Sequence, residues 1–332
     1  MRRRPQPLPA ETLPRDELEE FRNRRLRSTL REAYSHTLFW HRKFDSLGIK
    51  PEDISDNEDL LRAYRRGLLL TDEDLIFDFS NLCPDYLNDS GYVILTTSGT
   101  SKKGPKQIPY LDDDFKRNKD LSLFLGNRVG ISSGTRNLNA FAPPPNASGV
   151  LILIGLRDLG ASQYPLMIEL PPELELRIIK SYRPQIVWKL GSKALELGNF
   201  LRKTGEDVEK LGIETIGIAG EPFSKVLKEK TEKVWNAEVV DLYASAELGP
   251  AAFECHGHNG MHVSENRILL NIVDSEAREE SEEGQILATV LYDENERPGM
   301  FMINKEMGDA TKGLGEECEC GRRTLKIAPP FR

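Results

Sequence analysis

The chain has 332 residues, 39% hydrophobic and 30% charged, with a formal net charge of −8. That balance excludes a disordered chain and argues against a nucleic-acid surface, which needs a basic face; no apolar run is long enough to span a membrane. The length corresponds to about two domains, and four cysteines are too few for a disulfide framework.

The start, MRRRPQPLPAETLP, is basic but runs into prolines and acids with no apolar h-region. No signal peptide is read, and a cytoplasmic location is expected. Residues 14–48 read as helical: Leu18, Phe21, Leu26, Leu30, Ala33 and Tyr34 recur at three- to five-residue steps. A looser acidic stretch follows to about residue 90. The run YVILTTSGTSKKGPKQIPY (92–110) reads as strand, polar loop, strand. VLILIGL (150–156) is a buried strand candidate. PPELELRIIKSYRP is a helix started by prolines and stopped before Pro184. QIVWKL, ETIGIAG and AEVVDLYA read as strands, with SKALELGNFLRKTG and SKVLKEKTEKVWN as helices between them. This alternation predicts an α/β layered fold with a mostly parallel sheet. After Gly249, RILLNIVD and QILATVLYD alternate as strands with no helix between them. The expected organisation is a helical segment packed on the body (1–90), an α/β core (91–249) and a β-rich subdomain (250–332).

The loop GTSKKG shares with the Walker A pattern two glycines separated by four residues, but the helix-opening Gly-Lys-Ser/Thr is missing. Pro105 supplies no N–H, and KQIPY reads as strand. A plain polar hairpin is the alternative. The hydroxyls of Thr96, Thr97, Ser98, Thr100 and Ser101, the close approach allowed by Gly99 and Gly104, and Lys102, Lys103 and Lys106 instead suit a triphosphate. Two later strand ends carry unusual residues: Gly220-Glu221-Pro222, and Asp241, Tyr243, Ala244, Ser245, Ala246 and Glu247. Ligands of open α/β sheets sit beyond such ends. Tyr243 suits a planar base, and Glu247 suits Mg²⁺ held between protein and phosphates.

Together these segments resemble the adenylate-forming (acyl-CoA synthetase) superfamily, whose phosphate loop reads Thr-Ser-Gly-Thr-Thr-Gly-x-Pro-Lys. Here it runs from Thr97 to Lys106 with one extra residue. AGEP and DLYASAE resemble its adenine-binding segments. TLREAYSHTLFWHRKFDSLGIKPEDI, AELGPAAFECHGHNGMHVSENRILLNIVD and CECGRRTLKI are similar to stretches of the phenylacetate–coenzyme A ligase branch, in the same order. The resemblance implies the large N-terminal domain of an adenylate-forming enzyme. It also implies activation of a carboxylic acid by ATP to acyl-AMP and pyrophosphate, with thioester formation on coenzyme A. By it, Ser98, Gly99, Thr100, Ser101 and Lys106 hold the β- and γ-phosphates, and Gly220, Glu221, Pro222, Asp241 and Tyr243 frame adenine. Ala244 and Ser245 lie beside Glu247, which takes Mg²⁺; Asp309 of MGD accepts from both ribose hydroxyls; Arg332 stands near the hinge arginine. Family comparison places Phe141, Trp188, Gly191 and Ala219 around the acyl group, compatible with an aryl or arylacetic acid.

Three departures stand out. Arg-Tyr-Arg-Thr before the ribose aspartate is replaced by Asn304-Lys305-Glu306-Met307. The Gly and Ser/Thr beside the Mg²⁺ glutamate are Ala244 and Ala246. The chain ends at IAPPFR, where the family's small C-terminal domain, bearing the catalytic lysine for adenylation, would begin. The candidate partners are therefore the small-molecule acid, a separate chain supplying that domain, and a second copy in a homodimer. A non-catalytic or partner-dependent nucleotide-binding subunit and an adenylyltransferase acting on a larger cofactor are the alternatives.

Cys255, His256, His258 and His262 cluster, and Cys318 and Cys320 form Cys-x-Cys. The favoured reading is a closed structural zinc site of Cys255, His262, Cys318 and Cys320, with His256 or His258 as substitutes for His262. Free thiols beside a solvated histidine-rich loop are the alternative. Cys83 stands alone.

Overall fold

The computed structural model describes residues 7–97, 104–167 and 169–331. The first helical segment is two helices, α1 (Arg15–His36) and α2 (Leu38–Leu47). They are divided at Thr37, whose extended backbone and hydroxyl, accepting from Trp40 N at 3.3 Å, cap the second. The stretch to residue 90 is more ordered than its composition suggests. It holds α3 (Asn57–Arg65), α4 (Asp72–Phe77) and α5 (Phe79–Leu82). Asp56 and Thr71 cap the first two by accepting from Asp59 N and Asp74 N. Short helices begun by acidic caps lack the long apolar period that a sequence scan detects.

The phosphate-loop candidate is a hairpin, β1 (Val93–Thr96) antiparallel to β2 (Gln107–Tyr110), followed by α6 (Asp112–Arg128) and β3 (Arg136–Asn139). VLILIGL is not a strand. It lies within α7 (Ala147–Asp158), started by Asn146, whose side chain accepts from Ser148 N at 3.0 Å. Its apolar run is continuous because the helix is enclosed between α6 and the sheet, burying Val150, Leu151, Ile152 and Leu156. A short apolar run cannot by itself distinguish such a helix from a strand.

The remaining elements are β4 (Ser162–Pro165), α8 (Pro172–Tyr182), β5 (Ile186–Lys189), α9 (Gly191–Lys203), β6 (Thr215–Ala219), α10 (Lys225–Trp235) and β7 (Glu238–Ser245). After them come β8 (Gly249–Glu254), β9 (Met261–Val263), β10 (Ile268–Asp274), β11 (Glu279–Glu280), β12 (Glu283–Val290), β13 (Lys305–Lys312) and β14 (Lys326–Ile327). The main sheet has the order β14-β9-β8-β7-β6-β5-β3-β4. It is parallel from β7 to β4 and antiparallel from β7 to β14. The expected boundary near residue 250 therefore falls inside one continuous sheet. A second, antiparallel sheet, β11-β10-β12-β13, packs with α1 and α2 in one core containing Leu26, Trp40, Leu270 and Ile286.

Period-two alternation distributes the parallel strands between two layers. Ile186, Trp188, Val240 and Leu242 meet Phe124 and Leu125 of α6 and Ile152 of α7. Val187, Ile216, Ile218 and Val239 meet α8, α9 and α10 through Ile179, Leu197, Leu201 and Trp235. Helices on both faces leave the carboxyl ends of β6 and β7 as the open side of the sheet.

Candidate active site

A cavity of about 830 Å³ opens at those strand ends. β6 stops at Ala219, and Gly220, in the left-handed region at φ 87°, turns the chain into Glu221-Pro222. β7 ends at Ser245 and returns as β8 through a tight turn that carries Glu247. That turn is fixed from three sides. Tyr110 donates to Ala246 O at 2.7 Å, Leu248 N donates to Ser245 Oγ at 3.1 Å, and Arg117 donates to Leu248 O at 2.7 Å.

Glu247, only 3% exposed, is held against Lys106, with Nζ 2.5 Å from Oε1. Burial pushes its carboxyl pKa up, but Lys106 and Lys305 outweigh this and hold it below the ordinary value. Lys106 is placed by the hairpin: its N–H donates to Thr97 Oγ1 at 3.2 Å, and its carbonyl accepts from Thr97 N at 3.3 Å. The Lys106 ammonium also reaches Asp72 Oδ1 at 3.1 Å, and the same oxygen lies 2.7 Å from Lys305 Nζ. Burial draws the Lys106 pKa down, but Glu247 and Asp72 prevail and raise it. The sequence reading did not single out Asp72; the only signal was its place in the acidic first turn of a capped helix.

Also in the cavity lining, Tyr243 donates to Asp309 Oδ2 at 3.2 Å. Asp241 faces the cavity too; burial and then the neighbouring Glu254 charge raise its pKa to about 7. Glu221 accepts from Ser192 N at 2.5 Å and from Ser192 Oγ at 3.1 Å, tying the Gly220 turn to the start of α9. Pro222, Ala244 and Ser245 also line the cavity. Ser98, Gly99, Thr100, Ser101 and Arg332 lie outside the described residues.

Of the four residues expected around an acyl group, Phe141 and Ala219 line the cavity. Trp188 and Gly191 do not, and that expectation is corrected. Trp188 is fully buried on the α6–α7 side of the sheet, its ring over Gly217 and its Nε1 donating to Asn137 Oδ1 at 3.0 Å. The space above Gly191 is taken by the Phe223 ring, which reaches the cavity in its place. Phe223, Leu151, Ile152 and Met261 complete an apolar wall that the sequence did not mark. Their side chains converge only through tertiary packing.

The structure brings Cys255, His262, Cys318 and Cys320 together, with ligand atoms within 4.8 Å of one another. Cys255 and Cys318 sulfurs are 3.6 Å apart, and Cys320 Sγ is 3.4 Å from His262 Nε2. These are the edges expected of a tetrahedron with Zn–S near 2.3 Å and Zn–N near 2.0 Å. His262 Nδ1 faces Thr324 O at 3.2 Å, which leaves Nε2 to bind. The hydrogen bond between Cys255 and Cys320 lowers the Cys320 thiol pKa and raises that of Cys255, so the two share a proton that a bound metal would replace. His256 and His258 stay outside this set and face Glu238, at 3.8 and 3.4 Å.

The chain is 24% identical over 323 residues to phenylacetate–coenzyme A ligase of Thermus thermophilus, covering 96% of this chain and 71% of that one. It is 26% identical over 327 residues to the Escherichia coli enzyme of the same name, covering 96% and 72%. Along almost its whole length the chain is thus similar to phenylacetate–coenzyme A ligases, in line with the resemblance that its motifs carry. The fold agrees with that of 2-hydroxyisobutyryl-CoA ligase solved with 2-HIB-AMP and CoA in the thioesterification state. The TM-score is 0.87 at 22% identity, covering 97% of this chain and 69% of that one. No family model matches the chain. Among the described residues no helix is long and apolar enough to cross a membrane.

Proposed function

We propose that this adenylate-forming chain activates a carboxylic acid with ATP, giving acyl-AMP and pyrophosphate, and that the acyl group is then passed to coenzyme A. The observation that carries the reading is the Lys106–Glu247 contact in a cavity that the Tyr243–Asp309 pair also lines. An ammonium beside a buried carboxylate suits phosphates and their counter-ion. A tyrosine ring beside a carboxylate suits a base and a ribose diol.

In this reading Lys106 meets the phosphates, helped by hydroxyls of the 98–101 segment. Asp309 accepts from the ribose, while Gly220, Glu221, Pro222, Asp241 and Tyr243 frame adenine. Glu247 would hold Mg²⁺, which neutralises phosphate charge when bound. The residues themselves orient the reactants and exclude water, the main work such a transfer asks of a protein. Phe141, Ala219, Phe223 and Ile152 form an apolar wall, which favours an aryl or arylacetic acid. Cys255, His262, Cys318 and Cys320 would hold a structural zinc, a donor set with every position closed. In this superfamily the thioester step uses a small C-terminal domain.

ATP–pyrophosphate exchange across a panel of aryl and aliphatic acids tests the reading. Exchange is expected with at least one aryl acid. Lys106→Met and Glu247→Gln should each lower it about 100-fold or more, the scale set by removing one preorganised charge contact. No exchange with any acid, with a C-terminal domain supplied, would overturn it.

A further inference from the structure

The described residues lining the cavity include five carboxylates, Asp72, Glu221, Asp241, Glu247 and Asp309, but one ammonium, Lys106. These described residues alone offer a polyphosphate little positive charge. Among the described residues a further cation lies directly behind them. Lys305, fully buried, directs its ammonium to Asp72 Oδ1 at 2.7 Å and to its neighbour's carbonyl, Glu306 O. Asp72 Oδ1 thus bridges two lysines, at 2.7 and 3.1 Å. An anionic oxygen shared by two ammonium groups is what a phosphate oxygen supplies when bound.

The backbone around this bridge is fixed, while the carboxylate is free to move. Leu70 N donates to Asn304 O at 3.2 Å and Glu306 N to Leu70 O at 3.1 Å, so the strand start bearing Lys305 is zipped to the segment leading into α4. Asp72 is the first residue of α4, and its side chain is 46% exposed. It can rotate to solvent without breaking a backbone hydrogen bond. Lys305 cannot leave, because its stem is enclosed. Its field already reaches Glu247, whose carboxyl it helps keep ionised.

We infer that Asp72 is a built-in stand-in for a phosphate oxygen, and that a polyphosphate displaces it from between Lys106 and Lys305, making Lys305 a second phosphate-binding residue. The inference rests on the ATP-binding reading above. Asp72 then acts as an internal competitor that weakens binding of the β- and γ-phosphates while leaving the nucleoside end untouched.

Isothermal titration of the full chain with Mg²⁺–ATP and, separately, with AMP tests this. Wild type must first bind both; if it binds neither, the nucleotide reading itself fails. Given binding, Lys305→Met is expected to raise the Kd for ATP about tenfold or more, the scale of one charge-assisted contact, and to leave AMP within about twofold. Asp72→Asn, at a half-exposed position, is expected to tighten ATP about threefold or more with AMP unchanged. Equal losses for ATP and AMP in Lys305→Met, or unchanged or weaker ATP binding in Asp72→Asn, would overturn the inference. The second variant decides the matter if the first does not fold.

Discussion

Asp241 is a carboxyl placed where its proton matters. Burial, then repulsion from Glu254, lifts it to about 7 against the Leu242 N–H and Lys228, which pull it down. Between the ordinary carboxyl value and about 7, the folded chain keeps a proton that the unfolded chain has released. Folding there takes up a proton, so stability falls as pH rises through that window and stays lower above it. Asp241→Asn imitates the protonated form. Its advantage over wild type in urea melts should grow from about pH 5 to about pH 8, reaching on the order of 1 kcal/mol. An advantage that does not change with pH would place the Asp241 carboxyl elsewhere on the scale. The ionised pair Lys106–Glu247 is the opposite case, in which mutual attraction outweighs burial and both groups stay charged.

Elements are held to the sheet by contacts of two kinds. Lys189 on β5 reaches both carboxylate oxygens of Glu175 on α8 at 2.6 Å, with side chains 5% and 3% exposed. Removing one partner strands a buried charge. Lys189→Met or Glu175→Leu alone should cost about 3–5 kcal/mol in denaturant melts, and the double replacement less than either single change. An additive double variant would show the pair to be uncoupled. α7 approaches α6 through Gly155, where a Cβ would collide with the Ser122 side chain. Gly155→Ala should cost about 1–3 kcal/mol in the same measurement. How far elements could be read from sequence follows from their surroundings. QIVWKL and ETIGIAG alternate between two helical layers and were legible as strands. VLILIGL lies between α6 and the sheet, with only Leu153 and Ile154 partly exposed, so its apolar run shows no period, and only Asn146 as a cap distinguished it. β3, with Arg136, Asn137 and Asn139, carries no strand-forming signature. Its buried amides are justified by partners remote in sequence, Trp188 Nε1 and Gly149 O. The site was legible where motifs carry it, at Lys106, Glu247, Tyr243 and Asp309. Asp72, the partner of Lys305, and the Phe223 ring that displaces the acyl wall expected from Trp188 and Gly191 became visible only through packing.

At the scale of the molecule, the cysteine–histidine cluster links three separated stretches: the turn after β8, the start of β9 and the loop before β14. Zinc there would join them independently of the nucleotide cavity. Protein purified without chelator is expected to carry about one zinc per chain. Metal removal or Cys320→Ser should lower amide protection over residues 255–263 and 318–327 while leaving β5 to β7 protected. A zinc content well under one per chain would remove this site from the description.

The same C-terminal loop is also gripped from the far end of the chain. Arg322 pairs with Glu11, both buried, across 311 residues, and Arg323 N donates to Glu11 O at 2.8 Å. Helix α1 places Arg22 against Glu265 and Arg25 against Asp293 in the same way. During synthesis Arg22 and Arg25 of the first helix therefore emerge long before Glu265 and Asp293 exist. At about 5–20 residues per second, Glu11 waits roughly 15–60 s for Arg322 to be made. Before those partners are made, the nascent α1 is expected to expose its apolar stripe with Arg22 and Arg25. The time taken to translate residues 12–322 thus sets how long Glu11 stays without its partner.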